Sequence, residues 1–420
     1  MNVDSFKKVC VVGFKQSGVA LCRMLLGLKK KVKVSELNPQ DTFSSLLIQQ
    51  CEQWGVEFEF GQHSENFIKD CDIIVVSPGV DINRPPLSCV VNRLGILTVG
   101  EIEFSSWFNK ARIVAITGTN GKTTTTFLTY CALKSKLPGV YLAGNIGIPL
   151  ASFVCNTRED DIVVLEVSSF QLETIREFRP HTSCITNVEP DHFDRYQNFE
   201  EYVAAKKNIF MNQKETDYAV LNHALETKPW WQPQIQAKII YFDKELNNEN
   251  FSCAYKIASL YGISKAECEK VFSSFRGLPH RMQVVETIDG ITFINDSKAT
   301  NPSSTIWALQ NITQPTILIA GGKDKGLNYS QLIPSLGNVK KINLFGEARD
   351  KIRCALDSSQ KNIQLFTDLR DAIMCAFGEA EPQDVILLSP MCSSFDAFAN
   401  YRERGKYFIK VVKELYEKVK

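Results

Sequence analysis

The chain has 420 residues, of which 44% are hydrophobic and 23% charged, with 48 lysines and arginines against 47 aspartates and glutamates. This length predicts two or three domains. The near-zero net charge argues against a nucleic-acid partner or a membrane partner, and no apolar run is long enough to predict a transmembrane helix. Thirteen cysteines without a CxxC pair, and a start without a secretory cleavage pattern, indicate buried thiols in a reducing cytoplasm.

The first block of the chain alternates apolar strands with helical patterns, which predicts a parallel sheet. The strand KVCVVG ends at Gly13 and leads into a helical pattern that continues through Leu28. The loop between them resembles GxGxxG, with Lys15 at the middle glycine. It fits either a tight strand-to-helix turn or a diphosphate site at the helix amino terminus. A nicotinamide-dependent oxidoreductase is excluded because Lys15 breaks the fingerprint. Two further strands end at Glu36 and at Ser77-Pro78-Gly79, on the edge where open α/β sheets bind ligands.

The second block contains ITGTNGKTT at 116–124, between an apolar strand and a helical pattern. It differs from the usual phosphate loop because Ile116 stands where the first glycine is expected. Gly118 and Gly121 would still let peptide N–H groups approach phosphate oxygens. Lys122 would contribute positive charge, and Thr123 a hydroxyl group for Mg²⁺. A plain structural turn is the alternative.

Acidic and imidazole side chains follow two later strands of the same block. Glu166 ends the apolar strand of LEVSSFQLE, where a buried carboxylate needs a partner, and Mg²⁺ bound to phosphate is a fitting one. Asp191, His192 and Asp194 form a cluster that could hold a second divalent ion. Lys206, in YVAAKKNIF, has only the pattern of a solvated helix face.

The third block opens with a hairpin, VVETIDGITFIND, that turns at Asp289-Gly290. Strands TILIAGG, KINLFG, NIQLF and DVILLSP follow, separated by helical patterns. A Gly-Leu-Pro-His stretch at 277–280 has the composition of a linker. The fold class is therefore α/β, with three domains in series.

Several of these stretches together resemble the Mur ligase family, in that family's order and over nearly the whole chain. They are GTNGKTT, GNIGIP, LEVSSFQLE, EPDHFDRY, AAK, GLPHR, NDSKATNP and LLSPMCSSFDAFANYRERG. The resemblance implies a Rossmann-like domain at 1–97 for a UDP-linked substrate. It further implies a central ATPase-like domain with a short phosphate loop at 98–277, and a Rossmann-like, amino-acid-binding domain at 278–420.

The resemblance also implies roles for individual residues. ATP would be bound by the phosphate loop and two later residues: Gly118, Thr119, Asn120, Gly121, Lys122, Thr123, Thr124, Arg281 and Asp296. Two Mg²⁺ ions would be held by Thr123, Glu166, His192 and a carbamylated Lys206. Lys122, His192 and Lys206 would be the catalytic residues, and His280 would lie at the hinge.

The two other substrates would occupy sets of their own. The UDP-linked substrate would contact Gln16, Ser17, Glu36, Ser77, Gly79, Asn145, Ser168 and Gln171. D-Glutamate would be held by Lys298, Thr300, Lys325, Ser394, Phe395 and Tyr401. The chain departs from the family at Lys15, after the second strand at Glu36-Leu37-Asn38, and at Cys253, where an HNxxN pattern usually has its second asparagine.

The implied activity is ATP-dependent ligation of D-glutamate to UDP-N-acetylmuramoyl-L-alanine through an acyl phosphate and a tetrahedral intermediate, by a cytoplasmic monomer in peptidoglycan precursor synthesis. Another ligase on the same scaffold is the alternative, either a folylpolyglutamate synthetase or a sister Mur ligase. SKATN and SPMCSSFDAF favour D-glutamate, and no DNPR-type motif for a diamino acid is present. A non-catalytic nucleotide switch would not need the substrate residues of the third block.

Overall fold

The computed structural model describes residues 3–419, and it contains three separate sheets. By contacts, the chain divides into two compact units. One comprises the chain up to Val188 together with Tyr202–Ser274; the other comprises Glu189–Glu201 and the chain from Phe275 onward. The first unit contains the first two sheets and the second unit contains the third. The predicted three-domain α/β class is confirmed.

The first sheet is five-stranded and parallel, in the order β3-β2-β1-β4-β5. Its strands are β1 (Lys8–Val12), β2 (Lys31–Glu36), β3 (Glu57–Phe60), β4 (Ile73–Val76) and β5 (Thr98–Gly100). The helices are α1 (Gln16–Gly27), α2 (Ser45–Gln53), α3 (Glu65–Ile68), α4 (Leu87–Leu94) and α5 (Glu101–Ser106). The apolar runs of β1 and β4 are buried on both faces, as central parallel strands require.

The second sheet has six parallel strands, in the order β11-β10-β9-β6-β8-β7. They are β6 (Arg112–Thr117), β7 (Val140–Gly144), β8 (Ile162–Glu166), β9 (Thr182–Ile185), β10 (Tyr218–Asn222) and β11 (Lys238–Phe242). The helices are α6 (Lys122–Lys134), α7 (Ser169–Leu172), α8 (Phe199–Lys207), α9 (Glu249–Ser259) and α10 (Lys265–Ser273). Because β6 lies between β8 and β9, the phosphate loop begins between the ends of those two strands.

The third sheet is mixed, in the order β12-β13-β17-β14-β15-β16. Its strands are β12 (Gln283–Ile288), β13 (Ile291–Asn295), β14 (Thr316–Gly321), β15 (Val339–Phe345), β16 (Asn362–Leu365) and β17 (Val385–Met391). Only β12 is antiparallel to its neighbour, through the predicted turn at Asp289-Gly290. The helices are α11 (Pro302–Gln310), α12 (Arg349–Leu356), α13 (Leu369–Glu379) and α14 (Tyr401–Val419).

Two features of the fold refine the sequence predictions. Prolines on both sides of Trp230-Trp231 are typical of a surface loop, but Trp231 is buried and packs against Phe210. All thirteen cysteines are free thiols, and the prediction of buried thiols is confirmed for eight of them, including Cys10, Cys71 and Cys184, whereas Cys89, Cys155 and Cys354 are exposed. Within residues 3–419, no helix combines the length and apolar character needed to cross a bilayer.

Candidate active site

The phosphate loop connects β6 to α6, and its two glycines have the backbone conformations that this turn needs. Gly118 has φ +145° and Gly121 has φ +79°. A Cβ atom at Gly118 would lie 2.0 Å from Thr186 Oγ1, and one at Gly121 would lie 2.3 Å from Asn250 Oδ1. Both positions therefore require glycine, for conformation and for close approach. The absence of a glycine at Ile116 is explained because that residue is still inside β6, fully buried.

Lys122 begins α6 and folds back over the loop. Its Nζ atom donates hydrogen bonds to the carbonyl oxygens of Gly118 and Thr119, each at 2.8 Å. The ammonium group is thus held at the mouth of the loop, where a phosphate chain could take over its hydrogen bonds. Thr123 and Thr124 follow it in the first turn and are half-buried.

Glu166 ends β8 beside the loop and is completely buried. Its Oε1 atom accepts a hydrogen bond of 2.6 Å from Asn145 Nδ2, but its Oε2 atom has no hydrogen-bond partner. An unpartnered buried carboxylate oxygen is costly, by about 1–3 kcal/mol or more for a charged group. A cation is the partner that would remove this penalty. Asn145, predicted to contact the UDP-linked substrate, is thereby placed next to Glu166.

Lys206 is buried, although its sequence pattern resembles a solvated helix face. Its Nζ atom donates to the Gly118 carbonyl at 2.9 Å and lies 4.4 Å from the centre of the Tyr202 ring. The Tyr202 hydroxyl is 3.1 Å from Thr119 Oγ1. Both residues of α8 therefore contact the phosphate loop directly.

Two residues that sequence reasoning missed, Thr186 and Asn187, also hold this loop. The Asn187 side chain accepts from Asn120 N at 2.8 Å and donates to Asn120 O at 3.1 Å. Thr186 Oγ1 donates to the same carbonyl at 2.6 Å. Their only sequence signal is their position immediately after β9, next to β6 in the sheet.

The residues present fit a nucleotide with a divalent cation. The loop offers a close backbone approach at Gly118 and Gly121, Lys122 offers a positive charge, and Glu166 offers an oxygen without a partner. Within residues 3–419, no three His, Cys, Asp or Glu side chains are grouped so that they could hold a metal alone. A cation at Glu166 would therefore complete its coordination with phosphate and water oxygens.

The predicted UDP-substrate residues of the first sheet lie at its carboxyl edge. Glu36 is buried and accepts from the backbone N–H groups of Phe14 and Asn38, at 2.7 and 2.9 Å, which ties the β1 loop to the end of β2. Ser77 donates to the Gly13 carbonyl at 3.1 Å. Gly79 and Gln16 are exposed, and Ser17 is half-buried.

A cavity of about 820 Å³ opens beside Lys15 and Gln16, between α1 and the segment 148–156. The remaining two residues predicted for this substrate, Ser168 and Gln171, form a capping box at the start of α7. Ser168 accepts from the Gln171 N–H at 3.3 Å, and Gln171 Oε1 accepts from the Ser168 N–H at 2.9 Å. Their side chains thus have a structural role, and their contact with substrate stays a prediction.

In the second compact unit, Asp191 and Lys325 form a buried ion pair at 2.7 Å. Asn301 Nδ2 donates to the other carboxylate oxygen of Asp191 at 3.0 Å. Burial alone would raise the pKa of Asp191, but the charges of Lys325 and His192, with the hydrogen bonds, hold that pKa well below its usual range. Asp191 therefore anchors Lys325, which differs from the metal-ligand role considered from the sequence. His192 is partly exposed beside it, with φ +59°.

Asp296, the predicted ribose contact, lies just beyond β13 and is buried. Its carboxylate accepts from Ser389 Oγ at 2.9 Å and from the Met282 N–H at 3.2 Å. Burial raises the pKa of Asp296 to about 7, although the two hydrogen bonds and the nearby Arg281 charge oppose the shift. His280 is buried close by, with its Nδ1 atom 3.0 Å from Asn295 Nδ2.

The predicted D-glutamate residues gather at the carboxyl edge of the third sheet. The Lys298 Nζ atom lies 4.1 Å from the centre of the Tyr401 ring, and Thr300 is half-buried. Ser394 follows β17 and is buried, whereas the Phe395 side chain is 67% exposed. An aromatic side chain this exposed is available to cover a ligand.

Arg404 holds these loops together, and sequence reasoning missed it. Its guanidinium group is fully buried and donates to Ser297 Oγ and O at 3.1 and 2.9 Å. It also donates to the carbonyls of Cys392 at 3.0 Å, Ser393 at 3.1 Å and Gly321 at 3.5 Å. Burial lowers its pKa to about 10. One side chain thus connects the last residue of β14 with the segments after β13 and β17.

Comparisons with known proteins cover nearly the whole chain. Residues 7–100 match the Mur ligase MurD-like N-terminal domain, residues 116–277 the Mur ligase middle domain and residues 280–392 the Mur ligase glutamate ligase domain. A UDP-N-acetylmuramoylalanine–D-glutamate ligase of Thermoanaerobacter sp. is 39% identical, covering 97% of this chain and 98% of its own length. A protein of the same name from Koribacter versatilis is 35% identical, with 99% of each chain covered.

Among solved structures, UDP-N-acetylmuramate-alanine ligase MurC from Thermotoga maritima shares the fold, with a TM-score of 0.61 at 17% identity. That match covers 98% of this chain and 100% of the other. The matched domains follow one another over nearly the entire sequence, and the full-length relatives exceed one-third identity. The chain belongs to the Mur ligase family.

Proposed function

We propose that this chain catalyses ATP-dependent ligation of D-glutamate to UDP-N-acetylmuramoyl-L-alanine, a step of peptidoglycan precursor synthesis. The observation that carries this proposal is the combination of a phosphate loop, over which Lys122 folds back, with the buried Glu166 oxygen that has no hydrogen-bond partner. The two substrates are those in the name of this ligase, which full-length relatives carry. The amide bond is formed at the expense of ATP, which becomes ADP and phosphate.

The reaction proceeds in two steps whose atoms balance. A carboxylate oxygen of the L-alanyl group attacks the γ-phosphorus of ATP, ADP leaves, and an acyl phosphate forms. The D-glutamate amine then attacks the acyl carbon, and the tetrahedral intermediate collapses with release of phosphate and a proton. Lys122 neutralises charge on the phosphate oxygens during the first step, because both reactants are anionic.

Divalent metal ions fit the carboxyl edge of the second sheet. We assign Thr123, Glu166, His192 and carbamylated Lys206 as ligands of two Mg²⁺ ions. When bound, the ions would neutralise phosphate charge and orient the γ-phosphoryl group. Carbamylation first removes one proton from the Lys206 ammonium group and then joins the neutral amine to carbon dioxide with loss of a second proton, which converts a cation into an anion. The burial of Lys206 against the Gly118 carbonyl supports this assignment, since the group faces the loop.

We assign substrates to domains as the sequence suggested. Residues 1–97 would hold the UDP end, 98–277 would hold ATP, and 278–420 would hold D-glutamate through Lys298, Thr300, Lys325, Ser394, Phe395 and Tyr401. Arg281 and Asp296 would contact the nucleotide. Because all substrates are small molecules of precursor synthesis, we expect a cytoplasmic monomer without a nucleic-acid or membrane partner.

A panel of amino acids tests the proposal against ligases that share the scaffold. Phosphate release from ATP would be measured with UDP-N-acetylmuramoyl-L-alanine and one of D-glutamate, L-glutamate, L-alanine or meso-diaminopimelate. Of these four amino acids, we expect only D-glutamate to cause phosphate release. Phosphate release with another amino acid would identify that amino acid as the substrate in place of D-glutamate. Phosphate release from ATP in the presence of a folate acceptor and L-glutamate would favour the folylpolyglutamate synthetase alternative.

A further inference from the structure

The Asn187 side chain makes an unusual pair of contacts with the phosphate loop. Its Oδ1 atom accepts from the Asn120 N–H at 2.8 Å, while its Nδ2 atom donates to the Asn120 carbonyl at 3.1 Å. One carboxamide therefore binds both backbone groups of a single loop residue, as a neighbouring strand would. The amide orientation is fixed, because each of its ends has only one matching partner in this pair.

The backbone around Asn187 extends the same attachment. Its carbonyl accepts from the Thr119 N–H at 2.9 Å, and the Thr186 hydroxyl donates to the Asn120 carbonyl at 2.6 Å. The Thr186 N–H also donates to the Thr117 carbonyl at 3.0 Å, continuing the β6–β9 ladder into the loop. Thr186 and Asn187, which we call the β9 clamp, therefore fix the loop from Thr117 to Asn120.

The clamp acts on the part of the loop that must be preorganised. Gly118 lies so close to the clamp that a Cβ atom there would be 2.0 Å from Thr186 Oγ1 and 3.1 Å from the Asn187 carbonyl. Phosphate loops bind through peptide N–H groups whose directions depend on the loop backbone. A loop that must order itself on binding loses affinity, whereas one already ordered does not.

We propose that Asn187 is a positioning residue for the nucleotide, with Thr186 as its support. It touches no phosphate itself; its carboxamide holds residues 119–120 in the conformation that receives the phosphate chain. The inference rests on the proposed function in assuming that the loop binds ATP. It adds a residue from the neighbouring strand to the residues that determine nucleotide affinity.

The test is calorimetric titration of ADP without metal, combined with the KM of each substrate. Asn187→Ala removes both side-chain bonds and should weaken ADP binding and raise the KM for ATP about tenfold to thirtyfold. The KM values for D-glutamate and the UDP-linked substrate should stay within twofold. Thr186→Val, which is nearly isosteric, removes the hydroxyl that donates to the Asn120 and Thr117 carbonyls, and should shift the ADP affinity and the KM for ATP by about threefold to tenfold.

Asn222→Ala is the matched control. Asn222 ends the adjacent strand β10, is buried, and donates to the Thr186 carbonyl at 3.1 Å, while its Oδ1 atom accepts from the Ala224 N–H at 3.0 Å, away from the loop. The affinity of the Asn222→Ala variant for ADP should stay within twofold of the affinity of the unaltered protein. An equal loss in this control would assign the effect to the end of β9 as a whole and would overturn the specific role of Asn187.

Two further outcomes separate the claims. If the unaltered protein binds ADP and Asn187→Ala binds it within twofold while melting earlier, Asn187 is structural only and the inference is wrong. If the unaltered protein does not bind ADP at all, the proposed function itself fails. Circular dichroism of each variant establishes that the comparison is made between folded proteins.

Discussion

At the residue scale, the carboxylate of Glu166 combines complete burial with one oxygen that has no hydrogen-bond partner. Without a partner, such a carboxylate destabilises the folded protein. Its burial becomes favourable only when a cation binds it. The sequence predicted the burial of Glu166 correctly, because this residue ends an apolar strand, and the cation at its second oxygen stays a prediction. It could not predict that Asn145 would hold the other oxygen, since that contact depends on how β7 pairs with β8.

Glu166→Gln should have opposite effects on stability and activity. The amide keeps an acceptor for Asn145 and removes a buried charge, so the free energy of unfolding should rise by about 1–3 kcal/mol. Phosphate release should fall at least about hundredfold, because the variant lacks the carboxylate that we propose as a metal ligand. Urea unfolding and a Mg²⁺ titration of turnover measure the two effects.

Glu159→Gln is the control, because Glu159 is at an exposed position in the same domain. This variant should change neither the free energy of unfolding nor phosphate release. Normal turnover in Glu166→Gln would exclude the role of Glu166 as a metal ligand.

Lys206→Ala should be nearly inactive, and short carboxylates such as formate or acetate should restore part of the turnover. The reason is that a free carboxylate can take the place of the carbamate that we propose on Lys206. Lys207→Ala is the control, because Lys207 is adjacent but donates to the Trp230 carbonyl and not to the loop. Full activity of Lys206→Ala without added carboxylate would contradict the assignment.

At the element scale, α5 connects the first two sheets through two buried acids. Glu103 accepts from the backbone N–H groups of Arg176, Glu177 and Phe178, at 2.8–2.9 Å, and so fixes the segment after α7. Glu101 accepts from the Ala151 N–H at 2.8 Å. Burial raises the pKa of Glu101 to about 7, although its hydrogen bonds oppose the shift.

The raised pKa of Glu101 makes stability depend on pH. An unfolded glutamate ionises near its ordinary value of 4.5 while the folded one ionises near 7, so the folded state is progressively disfavoured as pH rises between these values. Glu101→Gln removes the ionisable group and therefore its pH-dependent contribution to the free energy of unfolding. The free energy of unfolding of the variant minus that of the unaltered protein should increase by about 2–3 kcal/mol from pH 5 to pH 8. Urea titrations at both pH values give this difference, and a difference that does not change with pH would contradict the argument.

Helix α14 supplies the second prediction at this scale. Arg404 donates to a carbonyl at the end of β14 and to carbonyls after β13 and β17, and a lysine cannot reproduce that planar fork. Arg404→Lys should lower the free energy of unfolding by about 2–3 kcal/mol and raise the KM for D-glutamate more than that for ATP. Arg353→Lys, at an exposed position of α12, is the control. Equal changes in both KM values would show that Arg404 only stabilises the domain.

Elements were easier to predict than the contacts between them. The apolar runs of β1, β4 and β6 and the Asp289-Gly290 turn are local signals, and each was found where the sequence placed it. The order of strands is not local, so the contact of Asn187 with the loop was invisible. Arg404 and Lys206 were missed or misread on residue pattern alone, because a charged residue in an amphipathic helix normally faces solvent.

At the scale of the whole molecule, the same arrangement recurs in each sheet. Candidate substrate residues follow β1, β2 and β4 in the first sheet, β6, β8 and β9 in the second, and β13, β14 and β17 in the third. Carboxyl ends of parallel strands meet at one edge, so each sheet offers one binding edge. Three binding edges match the three substrates of the proposed ligation.

The most direct measurement follows isotopic oxygen through a single reaction. UDP-N-acetylmuramoyl-L-alanine labelled with ¹⁸O in the alanyl carboxylate would be incubated with ATP, Mg²⁺, D-glutamate and the enzyme. We predict that mass spectrometry will show one ¹⁸O atom in the released phosphate and one D-glutamyl residue added to the UDP-linked product. Unlabelled phosphate, or a product without D-glutamate, would contradict the proposed ligation through an acyl phosphate.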